Sequence, residues 1–87
     1  MIARKIVYIG HFNQESLAVM YDITRKTEIT GVVKAIGENQ IELDLEGDAS
    51  MIKLIQHQIE RRVKSFIKDK TVTPIPYANF IGVTLLN

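Results

Sequence analysis

The chain has no cysteine and no tryptophan, two prolines, and no long apolar run in its 87 residues. Without cysteine there are no disulfides, no thiolate nucleophile and no thiolate metal site. A small fold with no staple of that kind must stand on core packing. The longest apolar candidate near the C-terminus, residues 81–86, is interrupted by Gly82 and Thr84 and falls far short of a membrane span. Arg4 and Lys5 are followed by no apolar segment of signal-peptide type, so a cytoplasmic protein is expected, away from membranes. Neither sign of charge dominates. Eleven Lys and Arg against ten Asp and Glu leave a net +1, which excludes a strong polyanion-binding field though not a local patch.

What is there suits one soluble domain covering residues 1–87. Hydrophobic residues make up 46% and charged residues 24%, too apolar for a disordered chain. Residues 2–9 read as a strand with apolar side chains on both faces, Ile6 and Tyr8 on one and Val7 and Ile9 on the other. Residues 14–26 carry Leu17, Val19, Met20, Tyr21 and Ile23 on one helical arc, with Asn13 as N-cap. Residues 30–36 and 40–46 form a hairpin about Gly37-Glu38-Asn39, and in the second strand Ile41, Leu43 and Leu45 alternate with Glu42, Asp44 and Glu46. That alternation predicts one buried face and one acidic, wet face. Asp48 caps a helix over residues 49–64 with Ile52, Ile55, Ile59 and Val63 in a stripe. Pro74 and Pro76 bar a central strand in residues 65–76, which read as a mixed connection, and residues 79–86 read as the last strand. The order β–α–β–β–α–β predicts an α+β fold, a two-layer α/β sandwich of ferredoxin-like type. Two helices then cover one face of a four-stranded antiparallel sheet, through right-handed crossovers.

One stretch is more specific. Residues 30–34 (TGVVK), the turn at Gly37, the alternating IELDLEG of residues 41–47 and the Asp-capped helix after them resemble an acylphosphatase. That family carries TGWVRN…DGSVEVVAEG, followed by a helix, in the same order. The resemblance in residue identity covers residues 30–47 and in topology most of the chain. It implies hydrolysis of carboxyl-phosphate anhydrides with no metal and no cofactor. The family's first loop, GRVQGVGFR, uses its glycines to converge backbone N–H groups on a phosphate at a helix N-terminus, and its arginine adds a charged fork. An asparagine at the end of the GWVRN strand orients the attacking water.

Against that loop this chain has Gly10-His11-Phe12-Asn13-Gln14-Glu15-Ser16-Leu17-Ala18, in which only Gly10 matches. The later glycines become Gln14 and Ser16, the arginine falls on Ala18 or Leu17, and the asparagine falls on Ala35. Glu15 adds a carboxylate that repels anions. The resemblance therefore implies an acylphosphatase-like scaffold that is degenerate at the catalytic motif, with no catalytic residue to assign. Gly10, His11, Asn13 and Gln14 remain as a candidate anion-binding loop. Two function classes stand side by side, a non-catalytic binding or regulatory module acting through a protein partner or self-association, and a divergent acylphosphatase.

Other constellations weigh less. His11 and His57 have no second histidine or carboxylate at ligand spacing and read as surface residues rather than metal ligands. Arg61, Arg62, Lys64, Lys68 and Lys70 cluster around Phe66, a pattern that suits a helix C-terminus better than a nucleic-acid contact. Val7, Ile9, Val32, Ile36 and Phe80, rimmed by the acidic row of residues 42–46, form a candidate protein-contact face.

Overall fold

The apolar alternations sort themselves onto one side of a sheet. The computed structural model describes residues 1–86. It contains β1 (Ile2–Gly10), α1 (Gln14–Arg25), β2 (Thr30–Ile36), β3 (Gln40–Gly47), α2 (Ala49–Arg62), β4 (Ile67–Pro74) and β5 (Val83–Leu86), with a 3₁₀ turn over Lys64–Phe66. Ile6 and Tyr8 of β1, Val33 of β2, and Ile41, Leu43 and Leu45 of β3 meet Leu17, Met20 and Ile23 of α1 and Ile52, Ile55 and Ile59 of α2 in one core. Ile52, Ile55 and Ile59 are at most 1% exposed. Burying each side chain contributes about 1.5–3 kcal/mol of hydrophobic stabilisation.

Both helix starts follow from their caps. The Asn13 side chain accepts from the Ser16 N–H at 2.8 Å, and the Asp48 carboxylate accepts from the N–H groups of Ser50 and Met51. These contacts satisfy donors that a helix cannot satisfy internally. At the other end of α1, Arg25 and Lys26 pair with Asp22 at 2.8 and 2.9 Å, which holds both cations on the outer flank of the helix.

The ferredoxin-like arrangement holds, with a correction in the sheet. It has five strands in the order β4-β1-β3-β2-β5, not four, and it is mixed, because β5 runs parallel to β2 while every other neighbouring pair is antiparallel. The extra strand comes from residues 65–76, read above as a connection. Most of them form β4, which lies at the edge beside β1. The two prolines do exclude a central strand, but an edge tolerates Pro74 at its end. The segment shows no apolar alternation because its inward positions are filled otherwise. Lys70 lies across from Tyr8 and reaches Glu60 of α2 at 3.0 Å, and Tyr8 donates its hydroxyl to the same carboxylate at 3.0 Å. Burial first, and then the charge and hydrogen bond of Glu60, push the Tyr8 phenol far above its ordinary range, so it remains a donor.

The last strand is also shorter than the pattern suggests. It begins at Val83, and Ile81, ahead of it, is 96% exposed. Residues 75–82 form an irregular connection ahead of it.

Candidate functional site

The β1–α1 loop is short and tightly held. Gly10 closes β1 against the 3₁₀ turn, and a Cβ at this position would lie 1.8 Å from the Phe66 carbonyl oxygen. Only a glycine allows that approach. Three successive N–H groups are then consumed by backbone acceptors. Gly10 donates to the Asn39 carbonyl at 2.9 Å, His11 to the Phe66 carbonyl at 3.0 Å, and Phe12 to the Glu38 carbonyl at 3.1 Å. Asn13 accepts from both the N–H and the hydroxyl of Ser16, and the Leu17 N–H bonds to the Asn13 carbonyl. Among the described residues, the backbone donors left without an acceptor here are those of Asn13, Gln14 and Glu15 at the start of α1, with the positive end of the helix dipole behind them.

Beside this loop lies an open cleft of about 660 Å³. His11, Phe12, Asn13 and Gln14 form one wall, Gly37, Glu38 and Asn39 of the β2–β3 turn the other, and Leu17, Ala35 and Ile41 the floor. Three of the four candidate loop residues, His11, Asn13 and Gln14, thus share one concavity, while Gly10 lies outside its lining and serves the strand–turn contact. Leu17 and Ala35, the positions aligned above with an arginine and an asparagine, present apolar surface to the cleft. Ala18 is exposed on α1 outside it. No guanidinium lines the cleft among the described residues.

Two groups missed in the sequence do reach this place. Asn39 brings a carboxamide from the turn, and the Lys68 Nζ approaches the His11 Nε2 at 3.1 Å. Neither has a local signal: Asn39 reads as a turn residue, and Lys68 stands 57 positions from His11. A smaller hollow of about 130 Å³ lies between the start of α1 and the end of α2, lined by Asn13, Glu15, Ser16, Val19, Arg62, Val63 and Phe66. Arg62 therefore borders the neighbouring hollow rather than the cleft. Arg61, Arg62, Lys64 and Lys68 are exposed, while Lys70 is paired with Glu60. His57 is exposed on α2. Among the described residues no group of three or more His, Cys, Asp or Glu side chains is placed to hold a metal ion.

The sheet face away from the helices departs from the acidic, wet surface read above. Lys5 bridges Glu42 at 3.0 Å and Asp44 at 3.2 Å. The bond to Glu42 first, opposed by partial burial and reinforced by Asp44, raises the Lys5 ammonium above its ordinary range. Glu46 is not wet at all. It is 6% exposed and accepts from the backbone N–H groups of Ala78, Asn79 and Phe80. Of the apolar residues on this face, Val7 and Val32 are half-buried, Ile9 and Ile36 are exposed, and Phe80 is half-buried in the connection that carries those N–H groups.

No family model matches the sequence, and a search of curated proteins finds no match either. Solved structures do match. The acylphosphatase from Bacillus subtilis superposes over 100% of both chains with a TM-score of 0.88 at 16% identity. An acylphosphatase from Coxiella burnetii covers 97% of this chain and 90% of its own with a TM-score of 0.84 at 12% identity. HypF from T. kodakarensis matches all of this chain with 12% of its length, at a TM-score of 0.80 and 20% identity. At such identities the likeness is one of backbone architecture. The chain has the acylphosphatase fold.

Proposed function

We propose that this chain is a binding or regulatory module built on the acylphosphatase fold, acting through contact with another protein or a second copy, and that it does not hydrolyse acyl phosphates. The observation that carries the reading is the state of the first loop. The N–H groups of Gly10, His11 and Phe12 are bonded to carbonyls of the protein, Asn13 takes up the Ser16 N–H as helix cap, and Glu15 sets a carboxylate beside the N–H groups left at that helix end. The floor of the adjoining cleft offers Leu17 and Ala35 in place of a cation and a carboxamide. Loss of a single preorganised donor to a developing oxyanion costs roughly 10²–10³ in rate, and here both the cation and the carboxamide are absent from those positions. The fold also occurs as a small part of the longer T. kodakarensis HypF chain, which supports a modular role. The sheet face bearing Val7, Ile9, Val32 and Ile36 is the surface for the contact. Its test is light scattering at high micromolar concentration, where a strict monomer counts against self-association.

A second reading, a divergent acylphosphatase, is favoured by Asn39 and by the Lys68–His11 pair beside the cleft. They bring an amide and a cation to the region from elsewhere in the chain. Benzoyl phosphate hydrolysis separates the two. The module reading expects the background rate. Turnover that falls on Asn39→Ala and on Lys68→Ala establishes the enzyme.

A further inference from the structure

The sheet order poses a problem of distance that the connection between the last two strands must solve. β4 lies at one edge and β5 at the other, so residues 75–82 cross the full width of the sheet. Four strand spacings amount to about 19 Å. Eight extended residues reach at most about 29 Å. The connection has the length to cross with moderate slack, and it is tied down as a strap at each inner strand in turn. Ile75 donates to the Ala3 carbonyl of β1 at 3.2 Å, and the Tyr77 hydroxyl donates to the Met1 carbonyl just ahead of β1. Over β3, Ala78 and Asn79 donate to Glu46 Oε2 and Phe80 donates to Oε1 at 3.0 Å. At β2, the Gly31 N–H donates to the Gly82 carbonyl at 2.9 Å.

The Glu46 tie differs from the others in strength and kind. Three successive N–H groups converge on one carboxylate, and hydrogen bonds to a charged acceptor are about twice as strong as neutral ones. The convergence requires a left-handed residue in the middle, supplied by Asn79 at φ 56°. Asparagine is among the few side chains that take this conformation readily. β5, by contrast, is weakly held. It is a four-residue edge strand, with Leu85 and Leu86 exposed.

We infer that Glu46 is a latch: its carboxylate seats the strap of residues 75–82, and the seating of the strap decides whether β5 is docked on β2. The latched chain has a five-stranded sheet with its β2 edge covered. The unlatched chain has a four-stranded sheet, with Ala3 and the β2 edge open to an added strand. This holds whichever reading of the cleft is right.

The test is residue-resolved amide exchange on the full chain, comparing the unmodified protein with Glu46→Gln. Amides 78–80 and 83–86 should exchange at least tenfold faster in the variant, with the β1–β3 pair unchanged. Asn79→Val, which leaves the carboxylate in place but disfavours the positive φ, should reproduce that loss, and Asn79→Gly should not. Unchanged protection at residues 78–80 in Glu46→Gln overturns the latch. So does a uniform rise across the sheet, because Glu46 would then serve only global stability. If Glu46→Gln fails to fold, Asn79→Val decides alone, and unchanged protection in it counts against the latch.

Discussion

A carboxylate on a strand ordinarily faces water, yet Glu46 is covered and hydrogen-bonded to backbone. Burial alone would raise its carboxyl above the usual range. The N–H groups of Ala78, Phe80 and Asn79 outweigh that and hold it below. Asp48 is lowered too, first by the Ser50 hydroxyl and then by the N–H groups of Met51 and Ser50. A depressed folded-state value means that the unfolded chain binds protons first as pH falls. The stabilisation is therefore complete at neutral pH, and it is lost as pH drops from the ordinary carboxylate values of 4.5 and 3.8 through the lower folded ones. Urea unfolding midpoints should decline over that acid range, and Glu46→Gln should flatten the decline. Equal acid limbs in the two proteins would refute the assignment. At Gly10 the constraint is steric. Gly10→Ala places its Cβ 1.8 Å from the Phe66 oxygen and should destabilise by about 1–3 kcal/mol in denaturant titration.

At the scale of elements, the helices owe their positions to caps and stripes that any reader of the sequence can find. Asn13→Ala should cost about 1 kcal/mol by removing the acceptor for Ser16. Ile55→Ala, at the centre of the α2 stripe and fully buried, should cost about 2–5 kcal/mol. Chemical denaturation of both variants checks the pair, and a reversed ranking would contradict the packing described above.

Those elements were legible because their signals are local. The β2–β3 hairpin, both N-caps and the apolar stripe of α2 each fit within one window of sequence. β4 was hidden because an edge strand whose inward residues include Lys70 carries no apolar period, and its stabilising partners, β1 and Glu60, are remote in sequence. The strap was hidden for a related reason: three backbone N–H groups bonding a glutamate more than thirty positions away leave no mark on side-chain pattern. In the cleft, Asn13 was legible as a cap, whereas Asn39 and Lys68 come together only through the sheet.

At the scale of the whole molecule, architecture and chemistry separate. The backbone superposes on the Bacillus subtilis acylphosphatase along its entire length, while the N–H groups of Gly10, His11 and Phe12 are bonded within the protein and Leu17 and Ala35 line the adjoining cleft. Fold alone does not carry function. Among the described residues no helix is long and apolar enough to cross a membrane.

The central claim is that the β1–α1 loop, with Leu17 and Ala35 lining the adjoining cleft and Glu15 at the start of α1, does not grip a phosphate. Titration of the isotope-labelled chain with inorganic phosphate, at constant pH and ionic strength, tests it directly through the amide resonances of residues 10–17. No saturable shift is expected at any of these amides, those of Asn13, Gln14 and Glu15 included, up to tens of millimolar. A saturable shift of the helix-start amides with a shared millimolar or tighter Kd would contradict it.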